Sequence, residues 1–141
     1  MQMLITRKLE FSASHVCRRP ELSEEENRRL YGEEASPHGH GHNFVAEITL
    51  EGEPDPVTGM VYDLKALNEV TQREIVDSYD HRFLNREVPP FDRVVPTPEN
   101  IARDIWRRLA RHFSDARVRL HRVRLYETDD FYVDCFGEDG Q

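Results

Sequence analysis

Two stretches of alternating apolar residues, each joined at one end to histidine, place the strongest constraint on how this chain folds. In the first, from Met3 to His15, apolar side chains occupy odd-numbered positions, and His15 continues that series. Successive side chains of a strand point to opposite faces of a sheet, so this pattern predicts a half-buried strand. The second stretch, Phe44 to Leu50, has apolar residues of the same parity as His40 and His42. We expect two paired strands that direct three imidazoles to one face.

A histidine–glycine repeat, within Pro37–Asn43, leads into the second stretch. Glycines between the alternate histidines let the backbone approach a ligand closely. Neutral imidazole suits zinc, and sites with three histidines leave a coordination position open for chemistry. We therefore predict a Zn²⁺ site formed by His15, His40 and His42. Taken alone the repeat is also typical of a flexible polar loop, and His38 either replaces His40, supports a ligand from outside the site, or faces solvent.

The composition excludes several classes of protein. The chain has 141 residues, 38% of them hydrophobic and 33% charged, which predicts one globular domain over residues 1–137 and a frayed tail over residues 138–141. A net charge of −8 argues against a nucleic-acid partner. No apolar run is long enough to span a membrane and no signal-peptide core is evident, so we expect no membrane partner and a cytoplasmic location. Two cysteines are too few for a disulfide framework.

Basic residues are concentrated in two regions of the sequence. Most of them are expected to lie on solvated faces, but a few are candidates for holding phosphate. The two groups are Arg18, Arg19, Arg28 and Arg29, and Arg117, Arg119, Arg122 and Arg124.

Capping residues predict where the helices begin. Ser23, with glutamate three residues later, predicts a short helical insertion. Asp63 is expected to cap a helix that runs to about Asp77 and packs against the core. Thr97, followed by proline at the first helical position, predicts another helix that fades near Phe113.

The last third of the sequence returns to strand alternation. The parity of its apolar residues changes near His121, which predicts either a bulge or the start of a strand there, and a final strand is expected from Phe131 to Phe136. The order of the main elements is therefore β-β-α-α-β-β. We predict the α+β class, with a four-stranded antiparallel sheet and two helices packed on one face.

Four further residues are candidates for chemistry, each with an ordinary structural alternative. Glu127 shares the apolar parity of its strand, so it either accepts two N–H bonds from an amino-pyrimidine edge or pairs with a neighbouring arginine. Asp80 and His81 form either an acid–base pair or a surface turn. Glu34 is either a general base or a loop charge.

Cys17 lies two residues from a predicted metal ligand. It is either a thiolate close to the metal or a buried free thiol.

Six short stretches together resemble the 6-pyruvoyl-tetrahydropterin synthase and 6-carboxy-tetrahydropterin synthase family. They occur in the family's order across nearly the whole chain, so the resemblance is specific. The stretches are Phe11–His15, Gly39–Asn43, Asp55–Val61, Asp80–Asn85, Pro96–Asn100 and Tyr126–Thr128. The resemblance implies the tunnelling fold (T-fold), in which trimers join their sheets into a barrel and two trimers stack into a homohexamer with sites at subunit contacts.

The same resemblance implies roles for the candidate residues. The three histidines named above bind zinc, Glu127 anchors the pterin ring, and Asp80 with His81 forms the proton-transfer pair. The implied substrate is 7,8-dihydroneopterin triphosphate. Zinc coordinates hydroxyl groups of its side chain and lowers their pKa while protons move and triphosphate leaves.

One position departs from the family pattern. Alignment on Gly32 and on Pro37–Asn43 places Glu34 where the family has its catalytic cysteine. Glutamate at this position resembles the type III group, which forms 6-hydroxymethyl-dihydropterin for folate synthesis. We expect a zinc-dependent lyase that forms a 6-carboxy-tetrahydropterin, as in the queuosine route, or a 6-pyruvoyl-tetrahydropterin. The alternatives are the 6-hydroxymethyl product and a non-catalytic pterin-binding protein, and Cys17 is an alternative base to Glu34.

Overall fold

The computed structural model describes residues 1–137, which form five strands and a set of helices. The predicted tail, residues 138–141, lies outside the described residues. In chain order, the strands are β1 (Met3–His15), β2 (His40–Gly52), β3 (Arg82–Phe83), β4 (Val118–Thr128) and β5 (Phe131–Cys135). The α-helices are α1 (Glu24–Tyr31), α2 (Leu64–Thr71), α3 (Asp77–Tyr79), α4 (Leu84–Glu87) and α5 (Pro98–Ala110).

The strands form one sheet with the order β3-β1-β2-β4-β5. The long strands β1 and β2 pair antiparallel along their whole length, so that Met3 lies opposite Gly52 and His15 opposite His40. β4 pairs antiparallel with β2, and β5 with β4. The predicted α+β class and its four antiparallel strands are confirmed.

The sheet also contains a strand that was not predicted. β3 pairs in parallel with β1, with Ala13 opposite Arg82 and Ser14 opposite Phe83. A strand of two residues is too short to show an alternation of apolar and polar side chains, which explains why the sequence pattern missed it.

The helices α1 and α5 begin where their caps predict. The side chain of Ser23 accepts a hydrogen bond from the main chain of Glu26, and Thr97 caps α5 in the same way. Ile101, Ile105 and Leu109 recur at helical spacing in α5 and are completely buried. Among the described residues, no helix is long and apolar enough to cross a membrane.

The helix that follows Asp63 extends beyond its predicted end. α2 continues through a π-helical segment, Gln72–Val76, into α3. Its first residue, Leu64, is 60% exposed, and the buried side of the helix begins one turn later at Leu67. At the far end Tyr79 is completely buried and donates a hydrogen bond to Asp104 of α5. This contact fixes the main chain just before Asp80.

Of the two alternatives predicted near His121, the structure contains the bulge. In the pairing of β2 with β4, Leu120 and Arg122 lie opposite consecutive residues of β2, so His121 is the extra residue. The bulge restores the apolar parity, and Val123 and Leu125 are completely buried on the helix-covered face.

Candidate functional site

The paired ends of β1 and β2 bring the three predicted histidines together. The Nε2 atoms of His15 and His40 are 3.0 Å apart, and the ring centroid of His42 lies 5.3 Å from that of His15 and 4.9 Å from that of His40. Glu34 comes from the 3₁₀ turn Gly32–Ala35, and its Oε2 lies 2.7 Å from Nε2 of His40. One ligand atom from each of these four residues lies within 4.8 Å of the other three.

Two glycines allow this close pairing of the strands. Gly39 has a φ of +74°, which favours glycine, and a Cβ there would lie 3.4 Å from the carbonyl oxygen of His15. A Cβ at Gly41 would lie 3.2 Å from the carbonyl oxygen of Ala13. A side chain at Gly41 would therefore crowd β1, and a side chain at Gly39 would strain the backbone that leads into β2.

The ring of His15 is held in one orientation by the main chain. His15 is completely buried, and its Nδ1 lies 2.7 Å from the carbonyl oxygen of Pro96. A carbonyl only accepts hydrogen bonds, so Nδ1 carries the proton and Nε2 presents its lone pair to the cluster. Burial lowers the pKa of His15, and the neighbouring His40 and His42 lower it further, although the hydrogen bond to Pro96 opposes them. A neutral ring is the form that binds a metal.

The ring of His42 indicates that a further atom binds at the cluster. Its Nε2 is buried and has no hydrogen-bond partner among the described residues. Burial, followed by the charge of His40, lowers the pKa of His42, so protonation does not resolve the unpaired nitrogen. A buried polar atom without a partner is costly, and a bound cation would satisfy it. Three imidazole nitrogens and a nearby carboxylate are a donor set that fits zinc.

Glu127 faces the histidines from β4. The pairing of β4 with β5 shifts between Tyr126 and Thr128, and Glu127 lies in that bulge. Its Oε2 lies 3.8 Å from Nε2 of His15 and 3.9 Å from Nε2 of His42. Bulges commonly redirect a side chain next to an active site, and this one directs a carboxylate to the edge of the cluster.

The environment of Glu127 is consistent with a carboxylate that binds a ligand. Burial, followed by the charge of Glu34, raises the pKa of Glu127. The neighbouring arginines of β4, Arg122 and Arg124, instead pair with Asp134 of β5. N–H donors from a ligand would stabilise the ionised carboxylate.

The predicted acid–base pair, Asp80 and His81, is formed at the start of β3. Nδ1 of His81 lies 2.9 Å from the Asp80 carboxylate, which also accepts a hydrogen bond from the main chain of Ser12 at 2.8 Å. That main-chain bond, helped by His81, lowers the pKa of Asp80 despite some desolvation. His81 has a φ of +62°, an uncommon conformation for a residue with a side chain. Such strain is often found at functional sites.

Asp80 and His81 do not join the histidine cluster. Within residues 1–137, the group of metal-ligating atoms contains neither of them, and the side chain of His81 is 83% exposed. His81 and His42 nevertheless line the same open groove, which has a volume of about 550 Å³ and is also bordered by Ser12 and Asn43. The site residues therefore fall into two sets that meet at this groove.

Cys17 and His38 lie outside the cluster. Cys17 is buried, with its Sγ 3.8 Å from the carbonyl oxygen of Pro96. Burial, followed by the charge of Glu34, raises the pKa of Cys17 to about 12, so its thiol stays protonated at neutral pH. The structure favours the buried-thiol alternative for Cys17, and His38 is exposed.

Two parts of the site were not found from the sequence. The Pro96 carbonyl is a main-chain group, so no residue type signals it. Asn85 clamps the residue after His15, because its side chain accepts a hydrogen bond from the Val16 N–H at 2.8 Å and donates one to the Val16 carbonyl at 2.9 Å. The sequence placed Asn85 in one of the stretches that resemble the family, Asp80–Asn85, but this resemblance gave Asn85 no role.

Comparisons with known proteins agree with the fold and with the family resemblance. The sequence model of the family described as 6-pyruvoyl tetrahydropterin synthase matches residues 4–138. The 6-pyruvoyl tetrahydrobiopterin synthase of Pongo abelii is 42% identical over 137 residues, which cover 97% of this chain and 93% of that protein. The solved structure of Caenorhabditis elegans 6-pyruvoyl tetrahydropterin synthase has a TM-score of 0.91 and 34% identity, with 98% of this chain and 97% of that chain covered.

A more distant structure shares the fold. It is a Plasmodium vivax 6-pyruvoyltetrahydropterin synthase in which a glutamate described as a catalytic residue is replaced by alanine. Its TM-score is 0.66 at 13% identity, and the match covers 96% of this chain and 97% of that chain.

Proposed function

Because the chain belongs to the 6-pyruvoyl tetrahydropterin synthase family, we propose that it is a zinc-dependent pterin lyase that acts on 7,8-dihydroneopterin triphosphate. One observation carries this proposal beyond family membership. Three imidazoles and the carboxylate of Glu34 present ligand atoms within 4.8 Å of one another, and one of the imidazoles has a buried nitrogen without a partner.

His15, His40 and His42 would hold the zinc ion, with the Pro96 carbonyl fixing the tautomer of His15. A bound zinc ion supplies a Lewis acid that lowers the pKa of the substrate's side-chain hydroxyl groups. The low pKa values of His15 and His42 keep both rings neutral, which is the form a metal requires.

Glu34 is proposed as the general base that takes the place of the family's catalytic cysteine. Its carboxylate is positioned at the cluster by the 3₁₀ turn and lies 3.8 Å from His15 as well as 2.7 Å from His40. Cys17 does not compete for this role, because its thiol has a pKa of about 12. A glutamate is also the residue described as catalytic in the Plasmodium vivax protein.

Glu127 is proposed to bind the pterin ring. A carboxylate that faces a pocket can accept two parallel N–H bonds from the amino-pyrimidine edge, as it does from a guanidinium. Because the bulge places this carboxylate beside His15 and His42, the bound ring would lie next to the metal.

Asp80 and His81 are proposed as the proton-transfer pair of a site that is completed by a neighbouring subunit. The pair is absent from the cluster of its own chain, but His81 lines the groove that reaches His42. The strands β3 and β5 also end the sheet without a further partner strand among the described residues. We propose that residues 1–137 form one subunit of a cytoplasmic homohexamer, a dimer of trimers, in which sheets join at these edges.

Two classes of product remain to be separated. A 6-pyruvoyl- or 6-carboxy-tetrahydropterin is supported by the similarity to the Pongo abelii 6-pyruvoyl enzyme at 42% identity. A 6-hydroxymethyl-dihydropterin is favoured by the single fact that Glu34, rather than a cysteine, stands beside the histidines. Both reactions need the same metal centre and a base next to it.

Replacing Glu34 by alanine tests the proposal. We expect Glu34→Ala to lower kcat by roughly 10² to 10⁴, the usual contribution of a general base, while zinc content and pterin affinity stay close to those of the unmodified protein. Glu33→Ala removes an exposed carboxylate from the same turn and is the matched control.

Three results would contradict the proposal. Full activity of Glu34→Ala would show that another group is the base. Loss of zinc from Glu34→Ala would make Glu34 a metal ligand instead. An unmodified protein that binds pterin and zinc without turnover would be a pterin-binding protein.

A further inference from the structure

A cavity beside the histidine repeat has a basic lining that the proposed chemistry does not use. Its volume is about 380 Å³, and Val16, Phe83 and Phe91 contribute to its apolar walls. Three arginines and one aspartate give its lining a formal charge of +2, although the whole chain carries −8. The charged lining residues are Arg18, Arg86, Arg93 and Asp92.

The arginines of this cavity are weakly engaged within the chain. Arg86 has no ion-pair partner among the described residues. Arg93 lies 3.7 Å from Asp92, and both side chains are mostly exposed. Arg18 pairs with Glu24, whose side chain is 74% exposed. Exposed ion pairs contribute little, so an entering anion can replace these carboxylates at small cost.

The cavity adjoins the candidate catalytic site on two sides. Val16 directly follows His15, and Asn85 holds the main chain of Val16 in place with two hydrogen bonds. Phe83 lines both this cavity and the open groove that contains His42. The cavity and the groove therefore meet at Phe83, close to the end of β1 that carries His15.

We propose that this cavity binds the polyphosphate group of the substrate, with Arg86 and Arg93 as its main ligands and Arg18 as a third. Guanidinium groups bind phosphate through paired N–H donors, and three of them around one cavity match a chain of several negative charges. This inference rests on the proposed function for the identity of the substrate. The presence of a basic cavity does not depend on the proposed function.

Steady-state kinetics with a double variant test the inference. We expect Arg86→Ala with Arg93→Ala to raise KM for 7,8-dihydroneopterin triphosphate roughly tenfold or more, because the variant loses guanidinium contacts with the phosphate groups of the bound substrate. Lys65→Ala with Arg73→Ala removes the same charge from exposed positions that do not line the cavity and should leave KM unchanged. Circular dichroism shows whether each variant is folded, and Arg86→Glu provides a second variant with the same expected direction.

Binding of inorganic tripolyphosphate, measured by calorimetry with zinc content checked afterwards, gives a readout without turnover. We expect weaker binding to the Arg86/Arg93 variant than to the control variant. If the unmodified protein does not turn over the pterin triphosphate but binds tripolyphosphate through these arginines, the proposed function fails and the anion site stands. If turnover is normal and neither KM nor tripolyphosphate affinity depends on the arginines, this inference fails and the proposed function stands. A change in tripolyphosphate affinity with an unchanged KM would mean a site for free polyphosphate and would overturn the assignment to the substrate.

Discussion

Nδ1 of His15 lies 2.7 Å from the carbonyl oxygen of Pro96, a residue 81 positions further along the chain. Pro96 directly precedes Thr97, the N-cap of α5, so the histidine at the end of β1 and the start of the main covering helix are joined by one hydrogen bond. The bond fixes which nitrogen of the ring faces the cluster. Metal binding and the packing of α5 on the sheet are therefore expected to support each other.

Zinc content should depend on the cluster histidines and not on their neighbour in the repeat. We expect His40→Ala to lose stoichiometric zinc, because it removes one of three imidazole donors, whereas the exposed His38→Ala should keep it. Elemental analysis after gel filtration gives the zinc-to-protein ratio. Full zinc retention by His40→Ala would exclude the three-histidine site.

The Asn85 clamp should affect metal binding from outside the cluster. Asn85→Ala removes both hydrogen bonds to the main chain of Val16 and should weaken zinc binding roughly tenfold or more, in the range found for residues that orient metal ligands. Asn68→Ala is a suitable control, since the side-chain oxygen of Asn68 has no hydrogen-bond partner among the described residues. Competition with a chelator measures the zinc affinity. Equal affinities for the two variants would show that Asn85 does not position the metal ligands.

Turnover should not require the thiol near the metal centre. Because Cys17 is buried and its pKa is raised to about 12, we expect Cys17→Ala to keep kcat within roughly threefold, with some loss of stability from the deleted buried atom. Cys135→Ala, on β5, serves as the control for loss of a cysteine elsewhere. A large loss of kcat in a folded, zinc-replete Cys17→Ala protein would restore Cys17 as the base.

Glu74 should contribute stability that disappears in acid. Burial favours its neutral form, but hydrogen bonds from Arg111 and His112 outweigh burial and lower its pKa below the ordinary 4.5. A carboxyl with a lowered pKa stabilises the fold above its ordinary pKa and loses that effect as the pH falls through the lowered value. We expect Glu74→Gln to lower the free energy of unfolding by about 1 kcal/mol at pH 7.

Urea unfolding at several pH values checks this expectation. The difference between Glu74→Gln and the unmodified protein should shrink as the pH falls below 4.5. Glu69→Gln, on the exposed side of α2, should show little difference at any pH. A difference for Glu74→Gln that stays constant into acid would mean that the lost stability is not electrostatic.

The parts of the fold that depend on periodic side chains and caps were predictable from the sequence. Strand alternation places His15, His40 and His42 on the same face of the sheet. The register of β1 with β2 then brings the three side chains next to one another. The change of parity at His121 revealed a bulge for the same reason. Glu127 was identified because a carboxylate on an apolar face needs a partner.

The remaining features depend on contacts that no local pattern encodes. The two residues of β3 are too few to show a period. The Pro96 carbonyl and the protonated state of Cys17 follow from burial in the assembled fold. The separation of Asp80 and His81 from the histidines is likewise a matter of tertiary arrangement, although the resemblance grouped them in one reaction.

The most direct test of the account is mass spectrometry of the pterins formed when zinc-loaded protein is incubated with 7,8-dihydroneopterin triphosphate. We predict that the substrate loses its triphosphate in a reaction that requires zinc and Glu34. If the product is a 6-pyruvoyl- or 6-carboxy-tetrahydropterin, a second group acts together with Glu34 and does the work of the family's cysteine. If the product is 6-hydroxymethyl-dihydropterin, Glu34 is the base for the cleavage. Unchanged substrate after incubation with folded, zinc-replete protein would contradict the proposal that this chain is a pterin lyase.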